Sequence, residues 1–197
     1  MNTPISYSPE TYKKNDGELN STLSNMFADA TYEMSNPVFN KMSGENIDIV
    51  LLNNGGIRSI ISKGNISEKT AFELMPFENS IVVLELSGLS IIKMIDYLRK
   101  VKLQHPISGL QITLNNDYSV NEVKINGVSI ENEKKYYVAT TDYLLEGGDK
   151  MYFLAETTKT TDINYKMRDI LIDYFKKYDT LKLKSDNRFI RIKWIEK

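Results

Sequence analysis

The chain has 197 residues, 41% of them hydrophobic and 26% charged, with 25 basic against 26 acidic side chains and no cysteine. That length and composition suit one globular domain and exclude general disorder. The near-neutral, well-mixed charge offers no footprint for nucleic acid or an anionic membrane, thiol chemistry and disulfides are ruled out, and no stretch has the length of a membrane span.

The opening segment, MNTPISYSPETYKK, lacks the apolar core of a signal peptide, and residues 1–17 are read as an N-terminal extension to a single domain over 18–197. Leu19, Leu23, Met26, Phe27 and Ala30 recur at helical spacing in ELNSTLSNMFADATYEM, with Asn15 or Asp16 placed to cap the start. NIDIVLLN, 46–53, is a short apolar run between turn signals and reads as a buried strand ending in NNGGIR. Next, SEKTAFELMPF predicts a short capped helix stopped by Pro76. SIVVLEL is a strand, and GLSIIKMIDYLRKV a helix capped by Ser87 with Leu89, Ile92, Ile95 and Leu98 on its apolar face. GLQITLN and VNEVKIN are strands, and Asn126-Gly127 marks a two-residue hairpin turn. YYVATT reads as a buried strand, NYKMRDILIDYFKKY as the last helix, and RFIRIKWIE as a closing strand with Trp194 toward cover. The whole predicts an α/β fold: a single domain of mixed β-sheet with packed helices.

Two glycine-rich stretches follow buried strands. In NNGGIR, Gly55 and Gly56 permit unusual backbone and close approach of a ligand, Arg58 offers a planar fork of donors suited to phosphate, and Asn53 both donates and accepts. No Walker or dinucleotide fingerprint is present. In TTDYLLEGGDKMYFL, paired glycines ending at Gly148 precede Asp149; an aspartate there either caps its own turn or takes two hydrogen bonds from vicinal hydroxyls. Phe77 in MPFEN and Tyr143 in TDYLL either pack in the core or clamp a flat base. The one histidine, His105 in QHPISG, reads as a solvated loop residue, so a complete dimetal hydrolase or nucleophilic triad is not expected in this chain.

NNGGIR, GNIS, MPFENSIVVLELSG, SGLQ and YYVATTDYLLEGGDK, in that order, with TLSNMFADA before them, resemble the C-terminal domain of the 5'-nucleotidase family, over residues 18 to 155. The resemblance implies a substrate-binding domain that serves a separate metallophosphatase domain or chain, which carries two divalent metal ions; no cofactor is expected in this chain. It implies that Arg58 holds phosphate, Asn53 makes a polar contact to the nucleoside, Phe77 and Tyr143 sandwich the base, and Asp149 takes the ribose hydroxyls. Gly55, Gly56 and Gly148 complete the implied site. An extracytoplasmic location, periplasmic or cell-surface, is implied in the same way.

The chain differs from the family's usual pattern in having no arginine near TLSNM, Ser24 for glycine, Tyr143 for phenylalanine and Lys150 after GGD, where Lys150 is expected to restore some positive charge. Three readings stand: the recognition subunit of a split nucleotidase, one half of a longer enzyme, or an interaction module that kept the fold and lost nucleotide binding.

Overall fold

The computed structural model describes residues 1–193. Ten strands and five α-helices follow one another as β1 (Pro4–Ser8), α1 (Thr22–Ser43), β2 (Ile49–Leu51), β3 (Gly64–Ser67), α2 (Glu68–Leu74), β4 (Ser80–Ser87), α3 (Gly88–Val101), β5 (Ile107–Ser108), β6 (Leu110–Leu114), β7 (Val120–Ile125), β8 (Lys135–Thr141), α4 (Asp142–Leu145), β9 (Lys159–Lys166), α5 (Met167–Lys177) and β10 (Phe189–Arg191). The strands form one five-stranded sheet of order β5-β2-β8-β4-β9 and two smaller ones, β10-β6-β7 and β1-β3. In the large sheet β2 and β8 are parallel and the other pairs antiparallel, which is the mixed α/β architecture expected, with the strands shared among three sheets.

The large sheet is covered on both faces, and its strands β2 and β4 read as continuous apolar runs for that reason. Side chains alternate along each strand. Val50, Leu52, Ile81, Val83 and Ala139 join a core with α1, α2 and α5, while Ile49, Leu51, Val82, Leu84, Leu86 and Val138 join a second core with α3, β6 and β7.

Several local expectations need correction. Ser21 is the N-cap of α1, accepting from Ser24 N–H at 3.1 Å; Asp16 reaches in from outside to accept from Thr22 N–H at 2.9 Å. Leu19 therefore precedes the helix and packs in the second core, whereas Leu23, Met26, Phe27 and Ala30 lie in the first. On α3, capped by Ser87 as expected, the buried face is Ile91, Met94, Ile95 and Leu98, and Leu89 and Ile92 are exposed. Both stripes fit a helical period. The rotation follows from docking of the helix start on the 131–134 turn, where Gly88 N–H donates to Lys134 O and a Cβ on Gly88 would lie 2.1 Å from Glu131 O. The last helix starts at Met167, because Asn164–Lys166 finish β9, an edge strand too polar to show in the pattern. Residues 1–17 contribute β1, which pairs with β3 and also exchanges backbone hydrogen bonds between Tyr7 and the Asp179–Leu181 segment. The Asn126-Gly127 hairpin is present, with φ of 49° and 82°. Trp194 lies outside the described residues.

Candidate functional site

Strand direction brings three distant segments together. β2 and β8 are parallel neighbours, so the loops after Leu51 and Thr141 leave the sheet at the same end; β4 runs antiparallel beside β8, so the turn before Ser80 arrives there too. Open α/β sheets place ligand sites at such strand ends. The three segments enclose a cavity of about 580 Å³ lined by Asn53, Gly55, Gly56, Arg58, Phe77, Glu78, Asn79, Asp142, Tyr143 and Asp149.

The NNGGIR loop is a 3₁₀ turn over Asn54–Gly56. Neither Gly55 nor Gly56 has positive φ, contrary to the conformational reason expected for them. At Gly56 a Cβ would stand 3.0 Å from Asn53 Oδ1, so a side chain there would have to push the Asn53 amide aside. Arg58 is exposed, donates from Nη1 to Gly55 O at 3.3 Å, and has its guanidinium carbon 5.8 Å from the Phe77 ring centroid. Lys14 Nζ donates to Ile57 O at 2.8 Å and Asn54 O at 3.3 Å on the same loop. Its pKa is lowered by partial burial and then by the neighbouring Arg58 charge. Two cations thus meet at this loop, and among the described residues neither forms an ion pair. Lys150, expected to supply charge, is not among the cavity's lining residues.

Phe77 and Tyr143 are 43% and 44% exposed, so both rings are displayed rather than spent on the core. Beside Phe77, Glu78 is held well below its ordinary range, at about 2, by hydrogen bonds first from Lys166 and then from Arg168. Arg168 is buried and its guanidinium stacks on Phe72. Asp142 accepts from Asn79 Nδ2, Ser80 N–H and Tyr143 N–H. Asp149 follows the Gly147-Gly148 pair (Gly147 φ 95°), itself takes φ 51°, and lines the cavity with its side chain exposed; its backbone carbonyl accepts from Tyr97 Oη at 2.8 Å and its Oδ1 from Tyr143 Oη at 3.4 Å. Burial, with the Asp149 charge second, raises the Tyr97 pKa.

His105 is not a solvated loop residue. It is 2% exposed, and its Nδ1 accepts from Asn54 N–H at 3.2 Å, so it supports the glycine loop from beneath. Burial lowers its pKa to about 4, against the opposing pull of Asp149. The proline and glycine of QHPISG gave the loop correctly but say nothing of depth.

Of the residues singled out from sequence, Asn53, Gly55, Gly56, Arg58, Phe77, Tyr143 and Asp149 line the one cavity, and Gly148 stands behind it against the Tyr143 ring. Glu78, Asn79 and Asp142 were missed. Glu78 and Asp142 each adjoin an aromatic that was noticed and Asn79 lies two residues from Phe77, so the signal lay in polar residues flanking an exposed ring. Among the described residues, no cluster of three or more His, Asp or Glu side chains could hold a metal ion, and no helix is long and apolar enough to cross a membrane.

Comparison with known proteins gives a consistent picture. The family described as 5'-nucleotidase, C-terminal domain, matches residues 4–156. The chain is 32% identical to Protein UshA of Escherichia coli (strain K12) over 115 residues, 55% of this chain and 20% of that one. It is 32% identical to Cell wall protein Lmo0130 of Listeria monocytogenes over 144 residues, 66% of this chain and 18% of that one. The chain therefore matches about a fifth of the length of these relatives. Among solved structures, the 5'-nucleotidase precursor of Thermus thermophilus shares the fold at a TM-score of 0.84 and 22% identity, over 99% of this chain and 40% of that one.

Proposed function

The chain belongs to the 5'-nucleotidase C-terminal domain family, and from that premise we propose that it holds a nucleotide and presents its phosphate to a metallophosphatase domain or chain outside it. The observation that carries this is the meeting, on one cavity, of two exposed aromatic rings, an arginine and a carboxylate from positions up to 91 residues apart, Arg58 to Asp149. In this reading Phe77 and Tyr143 stack on the base, Asp149 accepts from the ribose hydroxyls, Asn53 contacts the nucleoside, and Arg58 binds phosphate.

The described residues do not fit a dimetal centre. The two divalent ions that activate water in such hydrolases belong with the catalytic partner in this reading. The chain's own contribution is to bind and orient, which lowers a barrier without any acid or base of its own. An extracytoplasmic location is part of the same proposal, supported by a relative named as a cell wall protein.

Calorimetric titration with adenosine, AMP and ribose 5-phosphate tests the proposal. Saturable adenosine and AMP binding, with no phosphate release by the chain alone under added divalent metal, is the expected result. No binding at millimolar ligand would favour an interaction module instead, and turnover that survives repeated chromatography would place catalysis in this chain.

A further inference from the structure

Phe77 and Tyr143 reach the cavity from different elements, Phe77 from the turn before β4 and Tyr143 from α4. One side chain joins them. Asp142 Oδ1 accepts from Asn79 Nδ2 at 3.1 Å and from Tyr143 N–H at 2.7 Å, and Oδ2 accepts from Ser80 N–H at 3.1 Å. We infer that Asp142 is a positioning residue that fixes the spacing of the two rings and thereby sets the affinity for a flat aromatic base; the inference rests on the nucleotide reading above.

The rest of the turn is held from its far side. Met167 N–H donates to Asn79 O at 3.0 Å, and Glu78 pairs with Lys166 and with buried Arg168. Asp142 closes the remaining side, so the turn bearing Phe77 is tied to the helix bearing Tyr143. A local capping role does not account for the carboxylate, because Thr141 Oγ1 already accepts from Leu144 N–H as the N-cap of α4. Nor does Tyr143 N–H require it: two of the three donors to Asp142 come from the other segment. A carboxylate is acceptor-only and can take all three hydrogen bonds at once, which no neutral side chain of its size does. Without it the two rings order separately, and the ligand bears the cost of bringing them together.

The test is a double-mutant cycle read by calorimetry with adenosine and ribose 5-phosphate, on the wild-type chain, Asp142→Ala, Asp142→Asn, Phe77→Ala and the Phe77→Ala/Asp142→Ala pair. Expected is a roughly tenfold loss of adenosine affinity in Asp142→Ala, the scale of ordering one or two side chains, with a smaller loss in Asp142→Asn. Ribose 5-phosphate affinity stays at the wild-type value, and the Asp142→Ala effect on adenosine largely disappears once Phe77 is already alanine. Equal losses for both ligands, or the same fold loss with and without Phe77, would reduce Asp142 to a structural residue and overturn the inference. If Asp142→Ala does not fold, the cycle is run with Asp142→Asn. A wild-type chain that binds no adenosine would overturn the nucleotide reading itself, a result separate from wild-type binding that Asp142 does not influence.

Discussion

Gly148 lies so close to Tyr143 that a Cβ at position 148 would fall 2.4 Å from the ring's Cε1 and 2.6 Å from the Tyr143 carbonyl oxygen. The ring can turn aside, but the carbonyl is fixed in α4. Gly148→Ala is therefore expected to destabilise the fold by about 1 to 3 kcal/mol, the usual cost of overpacking, and to displace Tyr143 from the cavity. Urea melts together with adenosine titration would show both effects; an unchanged midpoint would mean that the 148 turn yields freely.

Phe77 is 43% exposed and is not one of the buried core residues, so its loss should register in binding more than in stability. Phe77→Ala is expected to weaken adenosine binding by about 1 to 3 kcal/mol, the worth of one base stacked on an aromatic ring, with its melting temperature near that of the wild type. Equal affinity in the two proteins would remove Phe77 from the ligand's path.

Asp149 sits at φ 51°, a conformation asparagine tolerates well. Asp149→Asn should leave the loop in place and remove the charged acceptor, lowering adenosine affinity by about 1.5 to 3 kcal/mol, the range for hydrogen bonds to a charged group. 2',3'-Dideoxyadenosine, which has no vicinal hydroxyls, should bind both proteins alike. A comparable drop for both ligands would rule out the ribose contact.

His105 makes stability depend on pH. Its folded pKa, about 4, lies below the ordinary 6.5, so the unfolded chain takes up a proton first as pH falls. The contribution of the neutral, buried imidazole is complete above pH 6.5 and is lost progressively toward pH 4, by as much as about 3 kcal/mol. His105→Asn keeps an acceptor for Asn54 N–H and has no proton to gain. Between pH 6.5 and 4 its melting temperature should fall less steeply than that of the wild type; parallel curves would show that the imidazole is not responsible.

Motifs and strands that are apolar on both faces, such as IDIVLL and SIVVLEL, were legible because a doubly covered sheet leaves an uninterrupted signature. β1 and β9 were not, since each lies at a sheet edge and β9 buries only Ile163 along its length. On α3, Ile95 and Leu98 were placed correctly and Leu89 and Ile92 were not, because 89/92/95/98 and 91/94/95/98 are equally periodic and the contact of Gly88 with the 131–134 turn chooses between them. At the site, residues with distinctive chemistry were found, namely the arginine, the rings and the aspartate after paired glycines. Asp142, Lys14 and His105 escaped because their significance lies in partners 40 to 63 residues away. Their partners are not in the local pattern: the linkage from Lys14 to Asn54, from His105 to Asn54 and from Asp142 to Asn79 exists only once the strands are aligned.

The alignment of β2, β8 and β4 has a consequence for how such a chain can change over generations. Neighbouring strands stand about 4.8 Å apart whatever their loops contain, so the sheet acts as a ruler and the loops as interchangeable fittings along its edge. A new residue at the tip of one loop alters one portion of ligand chemistry while the distances to the other two stay set by the backbone. Preference for one base or one anion over another can therefore drift while the two cores, which decide whether the chain folds, are left untouched.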